Sequence, residues 1–323
     1  MAKKIRIGIV GFGNLGRGVK RALERNPDME LTCIFTRRPE QVKKEVEDVR
    51  VLPIDGCLLV DVAILCGGSK VDIPLHGPAF IRWSNTVDSF DTHAEILNYF
   101  QKMDFLAKKF NRVAIISAGW DPGIFSLERV LGEAFLPVSK QYTFWGKGVS
   151  QGHSDAARKV KGVLDARQYT LPIKEAIEQV RRGLTPDFAK GEMHERVVYV
   201  VPEEGADLKR IEEEIKTMPN YYADYRTKVI FISEQEMERD HSAFPHKGLV
   251  LTSGETGNDN RQILEYKCQL TSNPEFTASV LVACARATCR MRERLYKGAF
   301  TLLDFPLGLL SPYSGNDLKR RMI

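Results

Sequence analysis

The sequence has little sulfur and no pattern that would put it to use. Its six cysteines, Cys33, Cys57, Cys66, Cys268, Cys284 and Cys289, form no CxxC pair, and no Cys/His cluster has zinc-finger spacing. A disulfide-stapled fold is thereby excluded, no resident metal is expected, and the thiols are expected to be reduced. No apolar signal region opens the chain, so a cytoplasmic protein is expected. The longest apolar helical stretch, Phe276 to Leu295, is broken by Arg286, Arg290, Arg292 and Arg294, so no membrane span is expected. Basic runs are also missing. With 47 Lys+Arg against 42 Asp+Glu, the formal net charge is +5, too mild to point to nucleic acid. Neither repeats nor low-complexity segments occur. What is present is ordinary globular material, 43% hydrophobic and 28% charged, and 323 residues at ~150 per domain predict two domains.

The first 120 residues alternate β-rich runs with helical patterns. Strands are predicted at Lys4–Val10, Glu30–Thr36, Val60–Leu65, Thr86–Phe90 and Val113–Ala118. Helices are predicted at Asn14–Arg25 and Thr92–Phe110. Such alternation predicts a parallel sheet covered on both faces. Beyond Trp120 the order is mixed. Helices are predicted at Ile124–Phe135, begun at Asp121-Pro122, and at Ile173–Gly183, Ala206–Met218 and Pro274–Leu295. Strands are predicted at Gln141–Trp145, Arg196–Val201, Lys228–Ser233, Gly248–Ser253 and Ile263–Leu270, with a mobile polar loop at Glu234–Lys247. The expected fold is α/β: a doubly wound parallel sheet over 1–120, followed by an α+β lobe over 121–301. The tail from about 302 to 323 is expected to pack back on the first domain.

Gly11-Phe12-Gly13-Asn14-Leu15-Gly16 fits GxGxxG between a predicted strand and a predicted helix, the context that makes the motif informative. Gly11 allows the turn, Gly13 lets the backbone approach a pyrophosphate, and Gly16 allows close helix–strand packing. The end of the second strand chooses the dinucleotide. Thr36-Arg37-Arg38 stands where an NAD site usually places an acidic residue. Two guanidinium groups suit a 2′-phosphate, with no carboxylate expected to repel it, so NADP is the expected cofactor. Cys66-Gly67-Gly68-Ser69 follows another strand and offers small residues beside the ligand. A nucleophilic Cys66 would require a base, and none is near in sequence.

Three further segments are rich in polar groups: Thr86 to His93, Ser117 to Gly123, and Phe144 to Asp155. With Trp120-Asp121-Pro122-Gly123 and Phe144 to Asp155 as its most specific signatures, the chain resembles the meso-diaminopimelate dehydrogenase family over essentially its whole length. The resemblance implies a Rossmann-type NADP domain, a substrate-binding and dimerisation lobe, and a homodimer. It also implies a reversible NADP-dependent oxidative deamination in lysine biosynthesis. The D-centre of meso-2,6-diaminopimelate would yield L-2-amino-6-oxopimelate, ammonia and NADPH. Cofactor positions carried over are Phe12, Gly13, Asn14, Leu15, Thr36, Arg37, Arg38, Cys66, Gly67, Gly68, Ser69, Ser89, Phe90, Asp91, Ala118, Gly119, Trp120, Asp121 and Pro122, beside Gly11 and Gly16 of the glycine motif. Substrate positions are Asp91, Asp121, Trp145, Gln151, Gly152, Thr170, Arg196, His246 and Asn273, with Asp91 and Asp121 as the catalytic candidates.

The residue types suit that chemistry. Arg196 can grip a distal carboxylate, with Thr170 and His246 adding donors and Asn273 an amide. Asp91 and Asp121 can bind the reacting amine, and either can take a proton or place the attacking water. Each residue also has a purely structural alternative. Asp121 and Asp91 could cap helices, His246 could be an ordinary loop histidine, Arg196 a surface strand residue, and Trp120 and Trp145 core aromatics. His153-Ser154-Asp155 resembles a hydrolase triad only in composition, since adjacent residues cannot form that relay. Rival functions are a dehydrogenase of other D-amino acids and a non-enzymatic NADP sensor. A sugar oxidoreductase would carry Glu-Lys-Pro where this chain has Thr86-Val87-Asp88-Ser89-Phe90-Asp91.

Overall fold

The computed structural model describes residues 3–243 and 245–323; the Gln151 side chain lies outside the described residues. In chain order the strands are β1 (Ile5–Val10), β2 (Met29–Thr36), β3 (Arg50–Pro53), β4 (Val62–Leu65), β5 (Asn85–Asp88), β6 (Val113–Ile115), β7 (Val138–Trp145), β8 (Gly148–Val149), β9 (Val163–Pro172), β10 (His194–Pro202), β11 (Arg226–Phe231), β12 (His246–Glu255), β13 (Arg261–Leu270) and β14 (Gly298–Phe300). The chain divides into two compact units, one of residues 1–127 with 274–323 and one of residues 128–273.

The first unit is built on a seven-stranded sheet in the order β14-β6-β5-β4-β1-β2-β3, in which all neighbouring strands run parallel. The two-residue period of its strands sends side chains to opposite faces. Ile7, Ile9, Val62 and Ile64 enter one core cluster, and Val10, Ala63 and Leu65 enter another. Both faces are therefore covered, as the near-continuous apolar runs require.

The expected domain boundary is corrected at the C-terminal side. The helix predicted at Pro274–Leu295 was expected in the second lobe; it spans Asn273–Glu293. Instead Ala278, Leu281, Cys284, Ala285 and Met291 fill the first unit's core. A Cβ on Gly18 would lie only 3.0 Å from the Ala278 Cβ, so the helix packs directly against helix Asn14–Glu24. Helical periodicity announces a buried face but not its partner. The tail does return to the first unit, where β14 adds the seventh strand and Leu302, Phe305 and Leu309 join the core.

The second unit holds two sheets, β11-β10-β9-β8 and β13-β12-β7. Helix Leu208–Lys216 contributes Ile211 and Ile215 to the core with Val198 and Val200; helix Lys174–Arg181 contributes Ile177 and Val180 beside Phe144 and Leu251. The segment expected to be a polar loop contains helix Glu234–His241. A reciprocal capping box starts it: Glu236 N donates to Ser233 Oγ at 3.2 Å, and Ser233 N donates to the Glu236 carboxylate at 2.9 Å. Asp121-Pro122 does not open a helix. Asp121 (φ −155°, ψ 104°) and Pro122 (φ −70°, ψ 156°) are extended, and the helix begins at Phe125. No described helix is long and apolar enough to cross a membrane.

Candidate active site

In the first unit, β1 lies between β2 and β4, where the strand order reverses. Loops leaving the carboxyl ends of strands at such a point form a ligand crevice. Gly11 has φ +93°, and its N–H donates to Phe35 O at 2.8 Å. A Cβ on Gly16 would come within 2.2 Å of Gly11 O, whereas one on Gly13 would meet nothing within 4 Å. Gly16 is thus required by the fold, and Gly13 borders open space at the N-terminus of helix Asn14–Glu24. Phe12 is buried in the core, with the Arg17 guanidinium 5.3 Å from its ring, and Leu15 packs against the same core. An open backbone at a helix N-terminus fits a dinucleotide pyrophosphate.

Thr36 is buried and its Oγ1 accepts from Arg38 N at 3.2 Å; Arg37 and Arg38 are exposed at the end of β2. The sequence reading placed no carboxylate beside this basic pair, and the structure corrects that. Asp72, the first residue of helix Asp72–Phe80, lies 3.3 Å from Arg37 Nη1 and accepts from Gly68 N at 2.8 Å. It reaches the site from a helix that the sequence reading did not identify. Cys66 is buried and its Sγ donates to Ile64 O. Burial pushes that thiol up, opposite to what a nucleophilic thiolate needs.

Ser69 Oγ accepts from Asp91 N at 2.8 Å and lies 3.2 Å from Thr92 Oγ1. The β4 and β5 loops therefore meet. Asp91 is exposed and caps no helix: a short 3-10 turn covers His93–Glu95, and the α-helix starts only at Ile96. Phe90 is buried against Tyr99, with ring centroids 4.5 Å apart. Ser89 is partly buried, and a Cβ on Gly119 would lie 4.0 Å from its Cβ, which brings the β6 loop alongside. In that loop Ala118 and Gly119 are buried. Trp120, Asp121 and Pro122 are partly exposed, and the Trp120 ring meets the Phe125 edge at 5.0 Å.

The second unit gathers a different set. Arg196 on β10 is directly opposite Thr170 on β9. Its Nη1 donates to Thr170 Oγ1, and its guanidinium carbon lies 4.1 Å from the Tyr225 ring centre. Arg196 is 8% exposed, and among the described residues its Nε has no partner and no carboxylate pairs with it. Burial lowers its pKa, the mark of a desolvated cation without an anion. Gln168 Nε2 also donates to Thr170 Oγ1, at 3.3 Å. With both lone pairs of that oxygen engaged, its hydroxyl proton is left to donate. Gly148 on β8 is opposite Thr170, and a Cβ on it would lie 3.2 Å from the His246 ring. His246 therefore sits beside this cluster, at the start of β12.

Trp145 ends β7 and its ring stacks on His194 (centroids 5.3 Å, 28°), and its backbone N–H donates to His194 Nε2 at 2.9 Å. His153 Nδ1 lies 2.8 Å from Ser150 Oγ, and its carbonyl accepts from Tyr222 OH at 2.7 Å. Burial, reinforced by the nearby Arg196 charge, pushes both histidines down to about 4, so both imidazoles are neutral. Ser154 Oγ donates to Ser150 O, and Asp155 pairs with Arg158, so no hydrolase relay exists. Gly152 follows Gln151 in helix Gln151–Arg158 and its Cα faces open space. Asn273 closes the second unit and opens the long helix. The sequence reading missed His194, Gln168 and Tyr225. Two-residue alternation would have placed Gln168 on the face of Thr170, had β9 been recognised.

Comparison with known proteins agrees with this chemistry. Residues 119–272 match the family model described as the diaminopimelic acid dehydrogenase C-terminal domain. The chain is 53% identical over 324 residues to a meso-diaminopimelate D-dehydrogenase of Ureibacillus thermosphaericus, covering 99% of each. It is similar to a solved six-substitution variant of a meso-diaminopimelate dehydrogenase from Clostridium tetani E88 with DAP: 49% identity, 99% of this chain and 100% of that one, TM-score 0.92. It is also similar to an engineered D-amino acid dehydrogenase bound to NADP+: 40% identity, 99% of this chain and 100% of that one, TM-score 0.85.

Proposed function

The chain belongs to the meso-diaminopimelate D-dehydrogenase family, and we propose that the residues assembled above carry out that family's reaction in it. The protein is an NADP-dependent amino-acid dehydrogenase acting on the D-centre of meso-2,6-diaminopimelate. Deamination gives L-2-amino-6-oxopimelate and ammonia. NADP, when bound, supplies the hydride acceptor. Gly11 to Gly16 hold its pyrophosphate at the helix N-terminus, and Thr36, Arg37 and Arg38 take its 2′-phosphate. Residues Cys66–Ser69, Ser89, Phe90 and the segment from Ala118 to Pro122 line its approach.

The observation that carries the substrate reading is the Arg196 guanidinium, buried without a carboxylate among the described residues. Burying a lone cation is costly unless an anion arrives to pair with it. A substrate with a second amino-acid head supplies one. Arg196 grips the distal carboxylate, with the Thr170 hydroxyl and His246 as further donors and Asn273 on the neighbouring ammonium. At the reacting end, Asp91 and Asp121 bind the amine, and one of them takes its proton, because hydride leaves more readily beside a neutral amine. Trp145, held by the neutral His194, walls the pocket with Gln151 and Gly152. The Clostridium tetani variant supports the distal set. Its substituted residues are Gln, Thr, Arg, Pro, His and Asn, and Gln151, Thr170, Arg196, Pro245, His246 and Asn273 repeat those types in the same order at the same spacings.

The first unit is accordingly the NADP domain and the second the substrate lobe. We assign homodimerisation to the second unit as well. Edge strand β13, which among the described residues pairs with β12 alone, leaves Ile263 and Leu264 exposed. A cytoplasmic location follows from the reaction's place in biosynthesis. The test is NADPH formation with the meso, L,L and D,D isomers of diaminopimelate, with NAD in parallel. Turnover confined to the meso isomer and NADP supports the whole reading. Equal turnover of simple D-amino acids would refute the distal clamp. Tight NADP binding without turnover would favour the sensor.

A further inference from the structure

We propose that Asp88, outside the residues assigned above, is a positioning residue whose buried carboxylate locks the loops after β5 and β6 together and so fixes Asp91 and Asp121. The inference rests on the reading that those two aspartates meet the reacting amine.

Asp88 is the last residue of β5 and is fully buried. Its Oδ1 accepts from Phe90 N at 3.0 Å and from Ser117 N at 3.2 Å. Its Oδ2 accepts from Tyr99 OH at 2.8 Å, and its carbonyl accepts from Ala118 N at 2.8 Å. One residue thus joins the β5 loop, the helix Ile96–Lys109 and the β6 loop. The bond to Phe90 N turns the chain out of the strand immediately before Asp91. The bond to Ser117 N fixes a left-handed residue (φ +54°) at the base of the loop that carries Asp121. A non-glycine residue holds that conformation only where its surroundings determine it.

The choice of a carboxylate has a physical reason. Three donors converge on two oxygens, and a carboxylate can accept all three. No described cation pairs with it, so the charge is held by these donors alone. Burial nevertheless pushes the carboxyl up to about 6. Burial and the Asp88 charge keep the Tyr99 hydroxyl protonated, well above its usual range, so it remains a donor. Asn at this position would keep the shape and one acceptor oxygen, with its NH2 turned to the Tyr99 oxygen. Ala would leave two buried N–H groups and a hydroxyl without their acceptor.

The test compares Asp88→Ala, Asp88→Asn and Tyr99→Phe by kcat, by KM for diaminopimelate, and by the affinity and stoichiometry of NADP binding. Asp88→Ala should lower kcat about 100-fold, as displaced reacting groups do. It should still bind one NADP per chain, because the glycine loop and the residues from Thr36 to Arg38 are untouched, although Kd rises as the loops that line the cofactor loosen. Asp88→Asn should recover kcat to within about tenfold of wild type, and Tyr99→Phe should lower it about fivefold. Should Asp88→Ala fail to fold, Tyr99→Phe, which removes one donor and keeps the ring packing, carries the test. Wild-type kcat in the folded variants, or a kcat loss matched by a loss of NADP-binding chains, overturns the proposal. Asp91→Asn and Asp121→Asn separate the two levels. If both keep wild-type kcat, the site reading fails; if they lower kcat while Asp88→Ala does not, only the positioning role fails.

Discussion

Arg196 and Thr170 face each other across the antiparallel β9–β10 pair, and the buried guanidinium donates to the threonine hydroxyl with no carboxylate among the described residues to neutralise it. This pairing makes opposite demands on stability and function. Arg196→Met keeps a long apolar side chain against Tyr225 and removes the unpaired charge. The melting temperature without ligands should rise by about 2 °C or more. KM for meso-diaminopimelate should rise about 100-fold, the loss of one or two charge-assisted hydrogen bonds. Thermal melts and steady-state kinetics check both. An unchanged KM would remove Arg196 from the substrate site.

The last two glycines of the nucleotide loop should respond differently. Gly13→Ala adds a methyl group facing open space, so the ligand-free melting temperature should stay within about 2 °C of wild type. The methyl group occupies the pyrophosphate's approach, and Kd for NADP should rise about tenfold or more. Gly16→Ala places Cβ 2.2 Å from Gly11 O and should destabilise the protein itself by about 2 kcal/mol. NADP titration with melting of each variant distinguishes them. Normal NADP affinity in Gly13→Ala would place the ligand elsewhere.

The buried histidines set an acid limit. His153 and His194 are pushed down to about 4, while in the unfolded chain they titrate near 6.5. Between those values the unfolded state binds more protons, so their contribution to stability is full above about pH 6.5 and falls as the pH drops toward 4. Asp88, pushed up to about 6, acts in the opposite sense between its unfolded value and 6, so a global melt mixes the two effects. Trp145 fluorescence gives a local report, because its ring stacks on His194. The Trp145 signal lost in Trp145→Phe should stay flat from pH 8 to 6 and change near 4. A transition near 6.5 would mean that His194 is not held neutral.

Arg286 supplies a purely structural control. It is 2% exposed and its guanidinium donates to Asp28, Asn26 Oδ1 and Leu310 O, tying the long helix to the turn before β2 and to the C-terminal segment. The guanidinium holds the Asp28 carboxyl below its usual range. Arg286→Ala should cost about 3 kcal/mol in urea denaturation, at the lower end for a broken buried pair because Asp28 is partly exposed. KM for both substrates should be unchanged in the folded fraction. A cost below about 0.5 kcal/mol would contradict this packing.

The nucleotide loop was legible because its chemistry is contiguous. Gly11 to Gly16 lie between a strand and a helix, and six neighbouring residues state both the turn and the ligand. Other signals were equally local but went unread. The capping box of Ser233 and Glu236 marks a helix start inside what looked like a polar loop. Asp121-Pro122 resembled a helix start for the same local reason, and the backbone there is extended instead.

Local spacing by itself determined the alternating sheet, its NADP loop and the basic pair that follows β2. The resemblance, carried by contiguous motifs, determined which residues to examine at the substrate. Only the tertiary structure decided which groups are buried and what they meet. Asp72 reaches Arg37 from another helix, Gln168 of β9 and Arg196 of β10 converge on the Thr170 hydroxyl, and Asp88 joins three segments. The same holds for helix Asn273–Glu293, whose apolar face was plain in sequence while its partner was not. Periodicity fixes which side of an element avoids water; the long-range packing that fills that side, and the desolvation that shifts a charge there, exist only once distant segments have met.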